Sequence, residues 1–76
     1  MTFSEFKDPV LQLKGRQNLY IENYRKLLVY TRKQICVLTK SGIIVIDGTD
    51  LAIQYYSKED LEIRGQIDVI SFQKQR

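Results

Sequence analysis

The chain contains no histidine and a single cysteine, Cys36. These two absences remove most of the chemistry a small domain can perform. Zinc sites built from Cys and His need several such ligands around one ion. Nucleophilic systems of the Ser-His-Asp and Cys-His type need an imidazole to take the proton. One cysteine cannot close an internal disulfide, and "MTFSEFKDP" has no basic stretch followed by an apolar one. The expectation is a reducing, cytoplasmic setting. Glycine is sparse too: Gly15, Gly42, Gly48 and Gly65 stand as widely spaced singles, so no glycine-rich loop cradles a phosphate. No apolar run approaches the roughly 20 residues that span a bilayer. No enzymatic activity, metal, cofactor or small-molecule substrate is expected.

The stretch "VIDGTDL" carries part of the D-x-D-G-T nucleophile motif of haloacid-dehalogenase-type phosphatases. The leading aspartate of that motif falls on Val45, and 76 residues are too few for that fold. A chain of this length makes one small domain, 1–76, which buries about 60–65% of its unfolded surface. Residues 1–8 and 73–76 are expected to be loose ends.

Strand patterns fill nearly the whole chain. "VLQLK" (10–14) alternates, and "NLYIEN" (18–23) sets Leu19 and Ile21 on one face. "LLVYT" (27–31), "QICVLT" (34–39) and "IIVID" (43–47) are rich in β-branched and aromatic residues between turn signals. "LAIQYY" (51–56) and "LEIRGQI" (61–67) follow, and the period-2 pattern then slips by one, since Ile70 and Phe72 are out of phase with Ile67. A slip of one residue requires a bulge or bend, placed near Asp68–Val69. Turn residues separate the runs at 15–17, 24–26, 32–33, 40–42, 48–50 and 57–60. No stretch carries a helical apolar stripe. The expected fold is all-β: a small antiparallel β-sandwich or barrel-like meander of about seven to eight strands.

"LLVY" and "IIVI" are apolar on both faces, the pattern of strands buried on both sides. Two readings stand. Phe3, Phe6 or loops cover them in a two-layer sandwich, or a partner or second copy does, which makes a homodimer an expectation to test. Charge is uneven as well. Residues 14–40 hold seven cations against Glu22 alone. A basic nucleic-acid-binding barrel is therefore the alternative function. Against it, turn cations in a meander lie at opposite ends, and Lys and Arg are ordinary guards of strand edges. No specific nucleic acid is expected as a partner.

An ordered set of motifs carries a family resemblance over residues 10–72. It comprises an opening strand with Gly15; Tyr20-Ile21-Glu22-Asn23-Tyr24 and then Leu28-Val29-Tyr30; Gly42-x-x-Val45-Ile46-x-Gly48-x-x-Leu51-x-Ile53; and Leu61-x-Ile63-x-Gly65-x-Ile67-x-x-Ile70-x-Phe72. This set resembles the YabP/YqfC family of sporulation proteins, more closely its YqfC branch. One departure is Arg25-Lys26, where the family commonly has a glycine. The resemblance implies a small β-sandwich-like domain made in the mother cell of an endospore-forming bacterium. It further implies a structural or interaction role, without enzymatic activity, in assembly of the spore's outer layers. Location in the mother cell or at the forespore surface follows from the same likeness.

One polar stretch interrupts the apolar runs. Glu22, Asn23, Tyr24 and Arg25 are the candidate partner-binding residues, because loops on rigid β scaffolds commonly carry recognition. The competing reading is a hairpin turn: Asn23 in the left-handed conformation, Glu22 paired with Arg25 or Lys26. Gly15, Gly42 and Gly48 are expected to supply turn conformations. Gly65, inside an alternating strand, suggests a bulge or a close strand approach. Cys36 reads as a small core residue.

Overall fold

A computed structural model of the chain describes residues 7–74. Six strands form one antiparallel sheet: β1 (Val10–Lys14), β2 (Asn18–Glu22), β3 (Tyr24–Tyr30), β4 (Gln34–Thr39), β5 (Gly42–Tyr56) and β6 (Asp60–Gln73). The spatial order is β1-β2-β6-β5-β4-β3. No helix occurs among the described residues.

The all-β class stands, and three details of the expectation change. The strands form one open sheet, bent on itself, rather than a sandwich of two sheets or a closed barrel, because the edge strands β1 and β3 do not pair. The strands number six rather than seven or eight, because Gly48-Thr49-Asp50 does not make a turn. The chain runs through it as one 15-residue strand, β5. The order is also not that of a meander. β2 and β3 are consecutive in the chain but do not pair; β2 lies beside β6 and β3 beside β4. Residues 24–26, expected as a turn, open β3 instead.

The long β5–β6 hairpin explains how one sheet makes a core. Only the first part of β5, residues 42–47, pairs with β4. Only the first part of β6, residues 60–64, pairs with β2. Between these segments the hairpin is irregular. Asp68 is an extra residue opposite the Asp47–Gly48 step, so the slip in the sequence pattern is a bulge, as expected. Asp50 and Leu51 then stand opposite Gly65 alone. Bulges bend and twist a sheet, and here three register shifts fall within one hairpin. The sheet thus has two halves: β1, β2 and the closed end of the hairpin, and β3, β4 and its open end.

Inward pairs line both halves: Leu19 beside Ile63 and Ile21 beside Leu61 in the first, Ile35 beside Ile46 and Val37 beside Ile44 in the second. All of them belong to one buried cluster, joined by Leu51 and Ile67 at the bend. A flat sheet of this size would leave such a face open to water. Bending brings the two apolar faces together, and removing them from water stabilises the fold by about 25 cal/mol per Å² buried.

Two turns secure the bend. The Ile67 and Gly65 N–H groups donate to the carbonyls of Arg16 and Gln17, at 2.8 and 3.2 Å. The Gly48 and Leu51 N–H groups donate to Lys33 and Arg32, at 3.0 and 2.7 Å. Main-chain groups that lose ladder partners at the bulges are thereby satisfied, as buried backbone requires. Glycine is required at two points of this region. A Cβ on Gly48 would collide with the carbonyl oxygen of Gln66. One on Gly65, which has φ +132°, would stand 2.5 Å from the carbonyl oxygen of Asp50.

Candidate functional site

The polar stretch that interrupts the apolar runs is where the chain passes from one half of the sheet to the other. Asn23 alone makes the step. It adopts φ 69°, a left-handed conformation that asparagine tolerates better than most residues. Its side-chain amide donates to the carbonyl of Asp8 at 2.9 Å. The Asn23 and Tyr24 N–H groups both donate to the Glu59 carbonyl, at 2.7 and 3.1 Å. This crossover ties the start of β3 to the closed end of the β5–β6 hairpin.

The two bulges of β3 decide which side chains face that hairpin. Tyr24 lies beside Thr39, Leu27 beside Val37 and Tyr30 beside Ile35, all inward partners. Register shifts between 24 and 26 and between 27 and 29 insert an extra residue each time. The inward period over β3 is therefore three, and Tyr24, Leu27 and Tyr30 share a face. The Tyr24 hydroxyl donates to the Ser57 carbonyl at 2.7 Å. The Tyr30 hydroxyl accepts from the Ile53 N–H at 2.9 Å. Two phenols thus bridge the gap between β3 and the second part of β5, beside which no strand pairs on this side among the described residues.

Between the bridges lies a groove of about 520 Å³. Leu27, Ile53 and the buried Leu61 form its apolar base, with Tyr24, Tyr30 and Tyr56 as walls. Arg25 and Lys26, both exposed, lie at its mouth. Tyr56 is 71% exposed, an aromatic surface left largely to solvent. Burial holds the Tyr24 phenol above its ordinary range, helped by negative charge at Tyr56 and Asp60. The arrangement suits an extended apolar segment: aromatic walls and a cationic mouth.

The candidate residues do not converge. Tyr24 and Arg25 line the groove. Glu22 lines a separate depression with Tyr20, Tyr55 and Asp60, and the two share Leu61. Asn23 stands between them as the crossover. Gly15 and Gly42 sit at turns with φ +61° and +118°, while Gly48 and Gly65 lie inside the long strands. Sequence reasoning missed Leu27, Tyr30, Ile53 and Tyr56. The tyrosines at 24 and 30 with a leucine midway were a trace of the three-residue period, but only pairing reveals it. Among the described residues, no group of three His, Cys, Asp or Glu side chains comes together to hold a metal.

The family model for the YabP family matches residues 7–76. The chain belongs to this family. It is 31% identical over 64 residues to the uncharacterised protein YqfC of Bacillus subtilis (strain 168), covering 84% of this chain and 69% of that protein. The matched span of this YabP-family domain includes every strand, the crossover and the groove. No helix among the described residues is long and apolar enough to cross a membrane.

Proposed function

We propose that this YabP-family domain is a non-enzymatic interaction module. It acts in the mother cell, in the cytoplasm or at the forespore surface, during assembly of the spore's outer layers. Its groove holds an extended segment of a protein partner, with an apolar side chain seated over Leu27, Ile53 and Leu61 and a carboxylate near Arg25 and Lys26. The observation that carries this reading is the apolar, tyrosine-walled groove between β3 and the second part of β5, beside which no described strand pairs on that side. Where an extended segment docks on a β scaffold, side-chain pockets of this kind give specificity. The motif set shared with sporulation proteins supports the cellular setting.

The test is affinity capture from sporulating cells with the parent chain and with Tyr56→Ala. Tyr56 is largely exposed, so its removal leaves the core intact. A defined protein retained by the parent and lost with Tyr56→Ala is the expected result. Equal retention by both would remove the groove as the docking site. No protein retained by either would overturn the interaction role.

A further inference from the structure

The groove between β3 and the second part of β5 is badly built for an added strand and too narrow for a helix. Strand addition needs a row of main-chain donors and acceptors along an open edge. On β5 that row is engaged at intervals within the chain itself. The Leu51 N–H donates to the Arg32 carbonyl and the Ile53 N–H to the Tyr30 hydroxyl, while the Ser57 carbonyl accepts from the Tyr24 hydroxyl. A register shift between Ile53 and Tyr55 breaks the remainder. Across the gap, β3 carries two register shifts within seven residues, and such bulges disfavour edge pairing. A helix with its side chains is about 10–12 Å across. Here one tyrosine side chain spans from strand to strand at each end of the groove.

An extended chain that needs no ladder is the polyproline II helix, whose backbone stays solvated. Grooves lined by aromatic rings recognise it. We propose that the groove, as the docking site proposed above, takes a proline-rich segment of a partner protein in this conformation, with an acidic residue flanking the prolines. Tyr24 and Tyr30 lie opposite Thr39 and Ile35, four positions apart on β4. At about 3.3 Å per residue the two phenol bridges are about 13 Å apart. One proline seats between them, over Leu27 and Ile53. One turn of polyproline II advances about 9 Å. The residue one turn on therefore reaches the exposed ring of Tyr56, which neighbours the Ser57 carbonyl at the Tyr24 end.

Charge sets the flank. The charged side chains that line the groove are Arg25 and Lys26, both cations. Asp60 lines the separate depression with Glu22. A carboxylate beside the prolines is complementary to this mouth, and a basic flank is repelled. Stiffness sets the cost. A segment already held in polyproline II loses little entropy on docking, which suits a groove of only about 520 Å³.

The measurement is a titration of the isotope-labelled chain with synthetic peptides, followed by two-dimensional amide NMR. The peptides share length and flanking aspartates and differ in the middle: proline-rich, alternating Val-Thr, or alanine-rich. The proline-rich peptide is expected to shift the amides of residues 24–30 and 53–56, with the other two at least tenfold weaker. Tyr56→Ala weakens its binding about tenfold through loss of the ring contact. Lys26→Glu weakens binding of the aspartate-flanked proline peptide and strengthens that of a lysine-flanked one, a gain that also shows the variant is folded. A Val-Thr or alanine-rich peptide that binds the groove as tightly overturns the polyproline assignment and leaves the groove as a docking site. Shifts confined to surfaces outside the groove, or no binding of the proline-rich peptide at millimolar concentration, overturn it as well. The capture experiment with Tyr56→Ala then decides separately whether the groove docks a protein at all. An unchanged flank preference in Lys26→Glu overturns the acidic flank.

Discussion

Gly65→Ala puts the bend of the long hairpin to a direct test. A Cβ at this position would stand 2.5 Å from the Asp50 carbonyl oxygen and 2.9 Å from the Leu51 Cα. Both distances are far inside the optimum of about 3.5–4.0 Å for non-bonded contacts. The backbone at φ +132° adds strain, since side-chain-bearing residues pay about 1–3 kcal/mol in such regions. Relieving the clash requires β5 and β6 to part, which stretches the bonds from Gly65 and Ile67 to the 15–17 turn. Each is worth about 1 kcal/mol net. Together these effects come to about 3–5 kcal/mol. The whole stability of a domain this size is about 4–11 kcal/mol. Urea unfolding followed by circular dichroism is the assay. With a slope of about 1 kcal/mol/M, the midpoint falls by about 3 M or more, or the variant is unfolded without urea. Gly15→Ala is the control: it shares a left-handed φ of +61°, but nothing lies within 4 Å of its Cβ. It loses only about 1–2 kcal/mol from backbone strain. A Gly65→Ala midpoint equal to the parent's, or a shift no larger than that of Gly15→Ala, would refute the close approach at the bend.

Three further outcomes are expected. Ile46, fully buried between β4 and β6, loses about 2–5 kcal/mol on substitution by alanine, read as a lowered denaturant midpoint; an unchanged midpoint would misplace the core. Burial raises the Cys36 thiol above its ordinary value of 9.0, assisted by the Asp47 charge, and burial likewise raises Tyr24 above 10.0. The folded state holds these protons more tightly than the unfolded one, so their contribution is complete below pH 9 and is lost as pH rises through the raised values. Thermal melts should fall from pH 9 upward, less steeply in a Cys36→Ser, Tyr24→Phe double variant; identical slopes would contradict the shifts. Binding to mixed-sequence DNA or RNA should be weak, sequence-independent and lost near 0.15 M salt in a titration, whereas tight binding there would point to a basic site that the scattered cations do not form.

Alternation alone made much of this fold legible. β1 and β4 run over the residues that the apolar–polar pattern marked, 10–14 and 34–39. The phase slip between Ile67 and Ile70 located the Asp68 bulge, because a one-residue change of face has few structural causes. What the pattern hid depends on partners. Gly48-Thr49-Asp50 has the composition of a turn, yet the turns at Arg16-Gln17 and Arg32-Lys33 hydrogen-bond the strands around it and hold the segment extended. The two-sided apolar runs also divide: Ile44, Val45 and Ile46 are buried, whereas Leu27 through Tyr30 are exposed. "LLVY" looked two-sided because its bulges send Leu27 and Tyr30 inward and Leu28 and Val29 outward. The proposed cover from Phe3 or Phe6 lies outside the described residues. At the candidate site, Tyr24 and Arg25 were legible as part of a polar interruption. Leu27 and Tyr30 follow on the same strand, but only the bulges of β3 turn them toward the groove, and Ile53, Tyr56 and Leu61 come from β5 and β6, some 30 residues away in the chain.

The strand order also constrains synthesis. β6 follows every other strand in the chain, yet it lies in the interior of the sheet, between β2 and β5. As the polypeptide leaves the ribosome, β3, β4 and the first part of β5 can pair as local hairpins. β1 and β2 can pair with each other, but they have no place to dock. Leu19 and Ile21 remain wet until Ile63 and Leu61, their cross-strand neighbours, emerge some 40 residues later. Closing so long a loop is slow, because its entropy must be lost before the contacts repay it. The nascent β1–β2 hairpin is therefore an unprotected apolar ribbon until β6 is made. Crowding of unfinished chains at that stage, before β6 is made, is when this small domain is most exposed to aggregation.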